Sequence, residues 1–234
     1  MNIERFIQEL KKINIEISET QLEQLNTYYE MLIEYNKVMN LTGITEKEQV
    51  YLKHFYDSAT ISRVIDLTKE ETLCDIGTGA GFPGLVLKIL FPNLKITLVD
   101  SLNKRINFLN EVIKKIDLKN ITSIHDRAEE FAHKNIEKFD IVTSRAVAPL
   151  NILLEYSIPM VKQNKYFIAY KGNMEEELKQ SEKALRILNS KVELKEEFNL
   201  PIEESIRTII KIKKINKTEK KYPRKNSEIK NKPL

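Results

Sequence analysis

Four of the chain's six glycines fall in one segment, Asp75-Ile76-Gly77-Thr78-Gly79-Ala80-Gly81-Phe82-Pro83-Gly84. It follows a short apolar strand, Thr72-Leu73-Cys74-Asp75-Ile76, and precedes an apolar helix over 85–90 that Pro92 stops. Glycine adopts positive φ freely and lets a ligand approach the backbone with no Cβ in the way. A strand-to-helix turn needs fewer glycines than this, so the segment reads as a ligand cradle. In open α/β sheets such cradles lie outside the carboxyl ends of strands.

The ligand class follows from the acids. As a bare string, Gly79-x-Gly81-x-x-Gly84 also fits a dinucleotide fingerprint. The glycines nevertheless begin directly after the strand, at Gly77, and Asp75 at the strand end would repel a pyrophosphate. A carboxylate there suits a cationic nucleoside, and S-adenosylmethionine, with its ammonium and sulfonium, is one. Asp100 ends the next strand, about 20 residues on, where an acid accepts from ribose hydroxyls. Helix capping is the structural alternative for Asp100, although Ser101 is available for that. His54 and Asp57, three residues apart on a helix, are weak catalytic candidates, and a hydrogen-bonded structural histidine is the commoner case. The lone Cys74 sits inside the first strand and reads as a small buried hydrophobe. One cysteine allows no disulfide framework and no multi-cysteine metal site, and no metal is expected.

These residues need a scaffold, and 234 residues with 41% hydrophobic and 31% charged content can supply one real core. Residues 1–66 read as a helical extension. Ile3, Phe6, Ile7 and Leu10 make one stripe; Ser18-x-x-Gln21 opens a second helix with Leu22, Leu25, Tyr29 and Leu32 inward. Thr45-x-x-Glu48 opens a third, running towards Ile65, after the Asn40-Leu41-Thr42-Gly43 turn. From 67 to 214 strands alternate with helices. Strands are expected at 95–99, 121–124, 139–143 and 166–170, with a helix after Ser101 and a late hairpin within 191–214. That alternation predicts an α/β fold with a parallel sheet covered on both faces. Residues 215–234 form a polar basic tail, expected to be mobile. From Lys211 onward there are ten Lys/Arg against two acids, so one end of the chain suits a polyanion. No apolar run reaches membrane-spanning length, and the N-terminus has no signal-peptide core, so a cytoplasmic location is expected.

Taken together, these motifs resemble the ribosomal RNA small subunit methyltransferase G family, also called glucose-inhibited division protein B. The resemblance rests on NLTGI (40–44), HFYDS (54–58), DIGTGAGFPG (75–84), LVDSLNKRINFL (98–109), RAEE (127–130), FDIVTSRAVAPL (139–150), KG (171–172), YPR and the terminal KPL. It implies a Rossmann-like S-adenosylmethionine-dependent methyltransferase: a mostly parallel seven-stranded sheet, helices on both faces, and a helical N-terminal extension. The implied activity is methylation of N7 of one guanine in 16S ribosomal RNA. Asp75, Gly77, Gly79, Gly81, Phe82, Asp100, Ala128, Glu129 and Arg145 are the expected cofactor residues. Between Arg224 and the final Pro-Leu the family usually carries a Gly and a Pro, whereas this chain reads Lys225-Asn226-Ser227-Glu228-Ile229.

The chemistry agrees. Guanine N7 is a lone-pair acceptor that loses no proton on methylation, so placement matters more than a general base. The Asn/Asp-Pro-Pro-aromatic turn expected of an exocyclic-amine methyltransferase is replaced by Ser144-Arg145-Ala146-Val147-Ala148-Pro149. Lys171 and Arg224 are expected on RNA phosphates and Tyr222 on a base. The partner would be 16S ribosomal RNA or a small-subunit assembly intermediate, and the enzyme a monomer. A ribosome-assembly module with a vestigial pocket, or a methyltransferase for small molecules or proteins, are the alternatives.

Overall fold

A computed structural model describes residues 1–69, 71–145, 148–172, 174–203 and 205–234. Seven strands form one sheet in the order β3-β2-β1-β4-β5-β7-β6. They are β1 (Thr72–Ile76), β2 (Lys95–Asp100), β3 (Ile121–His125), β4 (Phe139–Arg145), β5 (Val161–Lys171), β6 (Ser190–Asn199) and β7 (Ile206–Lys214). The pairs among β1 to β5 are parallel, and β7 runs antiparallel to both β5 and β6. The expected parallel sheet and late hairpin are both present. Chain order reverses direction between β1 and β4, and ligands bind at such a switch point.

Alternation along the strands divides the core in two. Leu73, Ile96, Ile141, Ile168 and Ile209 face one apolar cluster, which also takes in the N-terminal helices. Cys74, Val99, Val142, Phe167 and Ile210 face the other, which reaches Tyr222 in the tail. Cys74 is fully buried, and that burial pushes its thiol pKa well up, so it is an inert core side chain.

The helices are α1 (Ile3–Lys12), α2 (Glu19–Met39), α3 (Lys47–Val50), α4 (Asp57–Ala59), α5 (Gly84–Leu90), α6 (Asn103–Lys115), α7 (Ala128–Lys134), α8 (Leu150–Ser157), α9 (Glu175–Ile187) and α10 (Asn226–Asn231). The Ser18–Gln21 capping box forms in both directions. The Thr45 box does not: α3 starts with Glu46 as an N-cap lacking a side-chain bond. The Glu48 carboxylate lies 3.8 Å from the Met1 ammonium instead. The expected single third helix changes pitch along its length. A π-helical segment, Tyr51–Tyr56, separates α3 from α4, and a 3₁₀ turn, Thr60–Arg63, ends the run.

Two further expectations are corrected. Ser101 does not cap α6; the Asp100 carboxylate accepts from the Leu102 N–H at 2.9 Å. The tail is docked rather than mobile. Tyr222 and Ile229 are buried, and Arg224 grips the fully buried Glu155 on α8 with its guanidinium and its own N–H. The Lys225–Ile229 stretch that departs from the family pattern opens α10.

Candidate active site

The glycine turn needs glycine for reasons that differ by position. Gly77, Gly79 and Gly81 all sit at positive φ, +68°, +60° and +105°. A Cβ on Gly81 would lie 2.8 Å from the Tyr28 hydroxyl, and one on Gly84 would lie 2.4 Å from Leu98. A Cβ on Gly79 would meet only open space. The turn is braced on both sides. From below, the Tyr28 hydroxyl of α2 donates to the Ala80 carbonyl. From within, one Asp75 oxygen accepts from the Thr78 hydroxyl (2.7 Å) and the Gly84 N–H (2.8 Å). Asp75 is fully buried, with its other oxygen unpartnered, and burial raises its pKa to about 6 against the pull of Thr78, Gly84 and Arg145. It therefore shapes the turn from inside rather than standing in the cavity mouth.

Above the turn lies a cavity of about 650 Å³, within the range for small-ligand sites. Gly77, Asp100, Ala128, Glu129 and Arg145 line it, so β1, β2, β4 and the start of α7 all contribute. Asp100 is nearly buried. One of its oxygens accepts from the Gly79 N–H (2.9 Å) and Arg105 (3.2 Å). The other accepts only from Leu102, which leaves it acceptor capacity for a hydroxyl. Asp100 thus braces the turn that leads into α6 and keeps an acceptor facing the cavity. Gly79 and Gly81 do not line this cavity; the half-buried backbone at Gly77 and the Asp100 carboxylate do, and they fit an adenosyl ligand with a cationic end.

A second cavity, about 630 Å³, adjoins the first and shares Arg145, Ala148 and Pro149 with it. His54, Asp57, Tyr170 and Arg207 are among its lining residues. Arg145 is the partition. Its Nη1 donates to the Asp57 carboxylate (2.9 Å) and to the Lys53 carbonyl (3.0 Å), and its guanidinium lies 5.1 Å over the Phe82 ring. The π segment supplies that carbonyl. The Asp57 N–H bonds to the carbonyls of Leu52 and His54, passing over the one between them, which turns to Arg145. Asp57, buried between two cations, also accepts from Arg207 at 3.1 Å.

His54 has a fixed tautomer. Arg145 Nη2, 3.2 Å from Nδ1, can only donate, so Nδ1 accepts and Nε2–H donates to the Thr42 hydroxyl at 2.8 Å. Burial, then the Arg145 charge, lowers its pKa to about 3. The imidazole is neutral at physiological pH and lies flat on Phe82, ring centroids 4.3 Å apart.

Several expected site residues stand elsewhere than expected. Gly77, Asp100, Ala128, Glu129 and Arg145 come together around the first cavity, while Phe82 lies beneath Arg145 and His54 and does not line it. Lys171 lines the second cavity, yet its ammonium is spent on the Ala148 carbonyl (2.6 Å) and Glu177 (2.9 Å). Glu177 in turn accepts from the Leu150 N–H, so the pair clamps the stretch that opens α8. Tyr222 is buried, and Arg224 commits Nε and Nη2 to Glu155 and Nη2 also to the Lys232 carbonyl, so both hold the tail down. The Tyr222 ring is packed in the core rather than presented to a base. Tyr28, Glu177, Arg207, Asn226 and Lys230 escaped the sequence reading. Of these only Arg207 carried a signal, as the cation on the polar side of an alternating strand.

A family model described as rRNA small subunit methyltransferase G matches residues 21–206. The chain belongs to that family. Family proteins from Bacillus licheniformis and Bacillus subtilis, both named ribosomal RNA small subunit methyltransferase G, are 52% and 51% identical to it. Each alignment covers 96% of this chain and 95% of the relative. Solved structures outside that level of identity share the fold. An S-adenosylmethionine-dependent methyltransferase from Aquifex aeolicus superposes with a TM-score of 0.52 at 17% identity, covering 74% of this chain and 96% of its own. Fibrillarin from Aeropyrum pernix, solved with natively bound S-adenosylmethionine, gives 0.51 at 14% identity, covering 63% and 68%.

Proposed function

We propose that the chain is an S-adenosylmethionine-dependent methyltransferase acting on N7 of a guanine in 16S ribosomal RNA. The observation that carries this reading is the pair of adjoining cavities partitioned by Arg145, one built on the glycine turn, the other on His54, Asp57 and Arg207. The first takes the cofactor. Gly77 admits it to the backbone, Asp100 accepts from its ribose, and Ala128 and Glu129 border its base. When bound, S-adenosylmethionine supplies a sulfonium methyl: the S–C bond breaks as the N7–C bond forms, leaving a thioether and a positive charge on the methylated base.

The second cavity takes the guanine. N7 attacks with its own lone pair and releases no proton. His54 suits such a reaction, because a neutral imidazole whose Nδ1 is committed to Arg145 neither takes nor gives a proton. Its work is positional. With Phe82 and Asp57 it fixes Arg145, and the Lys171–Glu177 clamp fixes the chain beyond it. A rigid partition aligns the two reactants, a proximity effect. The substrate is 16S ribosomal RNA, free or within a small-subunit assembly intermediate, met in the cytoplasm by a monomer. The basic C-terminal end supports a polyanionic partner, and no described helix is long and apolar enough to cross a membrane.

Mass spectrometry of 16S ribosomal RNA from cells lacking this chain tests substrate and reaction together. Loss of one 7-methylguanine is expected; an unchanged level refutes the enzymatic reading and leaves a binding module. Calorimetry with S-adenosylmethionine and with NAD tests the cofactor, and tighter NAD binding overturns it.

A further inference from the structure

The basic tail would ordinarily be given to RNA, but its helix sets Asn226 and Lys230 on the first cavity. We infer that residues 222–234 form the closing wall of the cofactor cavity, with Asn226 and Lys230 as positioning residues for the adenosyl end of the ligand. This rests on the S-adenosylmethionine reading above.

Both residues line the same cavity as Gly77 and Asp100. The segment is held against α8, which itself contributes Ile152 and Tyr156 to that cavity. Arg224 makes three bonds to Glu155, at 2.7, 2.8 and 2.9 Å. The Tyr156 hydroxyl donates to Asn226 Oδ1 at 2.6 Å, and Ile229 of α10 is fully buried. That tyrosine lies within electrostatic reach of Glu129 and Arg127, at the start of α7. The wall therefore closes the end of the cavity where Ala128 and Glu129 border the base.

The chemistry of the wall is one-sided. Asn226 Oδ1 is taken by Tyr156, so its amide nitrogen remains as a donor. Among the described residues Lys230 forms no ion pair or hydrogen bond, so its ammonium is a second uncommitted donor. Two donors suit the acceptor nitrogens of a purine edge or the oxygens of a ribose. They offer nothing to a hydrophobic ligand.

The test uses the full chain, titrated calorimetrically with S-adenosylhomocysteine and with 5′-methylthioadenosine, which lacks the amino-acid end. Asn226→Ala and Lys230→Ala should each weaken both ligands about five- to tenfold, the scale of one lost ordinary hydrogen bond. Lys220→Ala, on the same tail but before the wall and outside the cavity, should leave both affinities unchanged. Hydrogen exchange should show backbone amides of 222–234 gaining protection when S-adenosylhomocysteine binds, a readout independent of any variant. Unchanged nucleoside affinity in both variants, with a salt-dependent loss of RNA affinity, makes the segment an RNA arm and overturns the inference alone. A loss confined to S-adenosylhomocysteine overturns it too, by putting the contact at the amino-acid end. Failure of the unaltered chain to bind S-adenosylhomocysteine overturns the enzymatic reading and this one with it.

Discussion

Asp57→Asn is the most searching test of the partition. The carboxylate is nearly buried and bridges Arg145 at 2.9 Å and Arg207 at 3.1 Å. Asparagine keeps one acceptor oxygen but turns an amide N–H₂ towards the other guanidinium, donor against donor. Breaking a buried ion pair costs roughly 3–5 kcal/mol. Here the arginine side chains keep 15% and 27% of their exposure, so water recovers part of that. The expected loss is about 2–4 kcal/mol in urea denaturation. Arg145 keeps the Lys53 carbonyl and the Phe82 face, so the fold and the first cavity survive. Cofactor affinity should fall no more than about threefold, while single-turnover methyl transfer should fall on the order of 10²-fold, because a partition displaced by about 1 Å misaligns the reactants. A double-mutant cycle sharpens the test. Arg207→Gln should cost at least about 1 kcal/mol less in the Asp57→Asn background than alone. If Asp57→Asn loses under about 1 kcal/mol and transfers methyl groups at near-normal rate, Arg145 is not held as argued.

Four further outcomes are expected. His54, harder to protonate in the fold, contributes stability that is intact above pH 6.5 and lost as pH falls towards about 3, on the order of 1.4 kcal/mol per pH unit at most; Asp75, easier to protonate in the fold, opposes this below about pH 6. The stability difference between wild type and His54→Gln, read by urea denaturation at pH 7 and pH 5, should therefore shrink at the lower pH, and a constant difference refutes the assignment. Gly79→Ala should cost about 1–2 kcal/mol from its positive φ alone and weaken cofactor binding severalfold by disturbing its N–H bond to Asp100, while Gly81→Ala, which also strikes Tyr28, should cost clearly more in a thermal melt. Tyr28→Phe, by orphaning the Ala80 carbonyl, should cost about 1–2 kcal/mol and weaken S-adenosylhomocysteine binding severalfold in calorimetry, and unchanged affinity would detach the extension from the site. Replacing Lys217, Lys220 and Lys225 together by alanine should flatten the salt dependence of RNA binding by roughly 0.7 for each phosphate no longer neutralised, with nucleoside affinity unaltered.

How far the sequence could be read depended on whether the signal was local. The glycine turn was legible because positive φ is a property of single residues, and β1 to β4 because apolar runs of strand length are local too. The inward turn of Asp75 has no local signature, because it depends on the Gly84 N–H nine residues away. Tyr28 was overlooked because the α2 stripe can be drawn through Leu22 and Tyr29 equally well; packing chose Leu25, Tyr28 and Leu32 as the fully buried set. The π segment had no local signature, since it answers to Arg145, about 90 residues further along. The tail looked mobile because it has few apolar anchors, Tyr222 and Ile229 among them. The demand that docks it, an unpaired Glu155 in the core, is made from far up the chain.

The charge arrangement follows from the reaction. An uncompensated arginine beside a sulfonium would repel the cofactor, and would repel the methylated base as its positive charge develops. The cations around the partition are accordingly matched: Arg145 and Arg207 share Asp57, Lys171 meets Glu177, and Lys53 meets Glu203. Matching holds the side chains still as well as neutral, which a proximity mechanism requires. A matched cation is a poor phosphate ligand, because binding RNA would mean breaking its pair. The same logic that suits these residues to the reaction therefore removes them from RNA binding, and explains why Lys171 and Arg224, the cations nearest the family motifs, serve the scaffold. An RNA phosphate is better met by the exposed lysines beyond β7 that line neither cavity, Lys217, Lys220 and Lys225, whose charge can attract the substrate without opposing the cofactor.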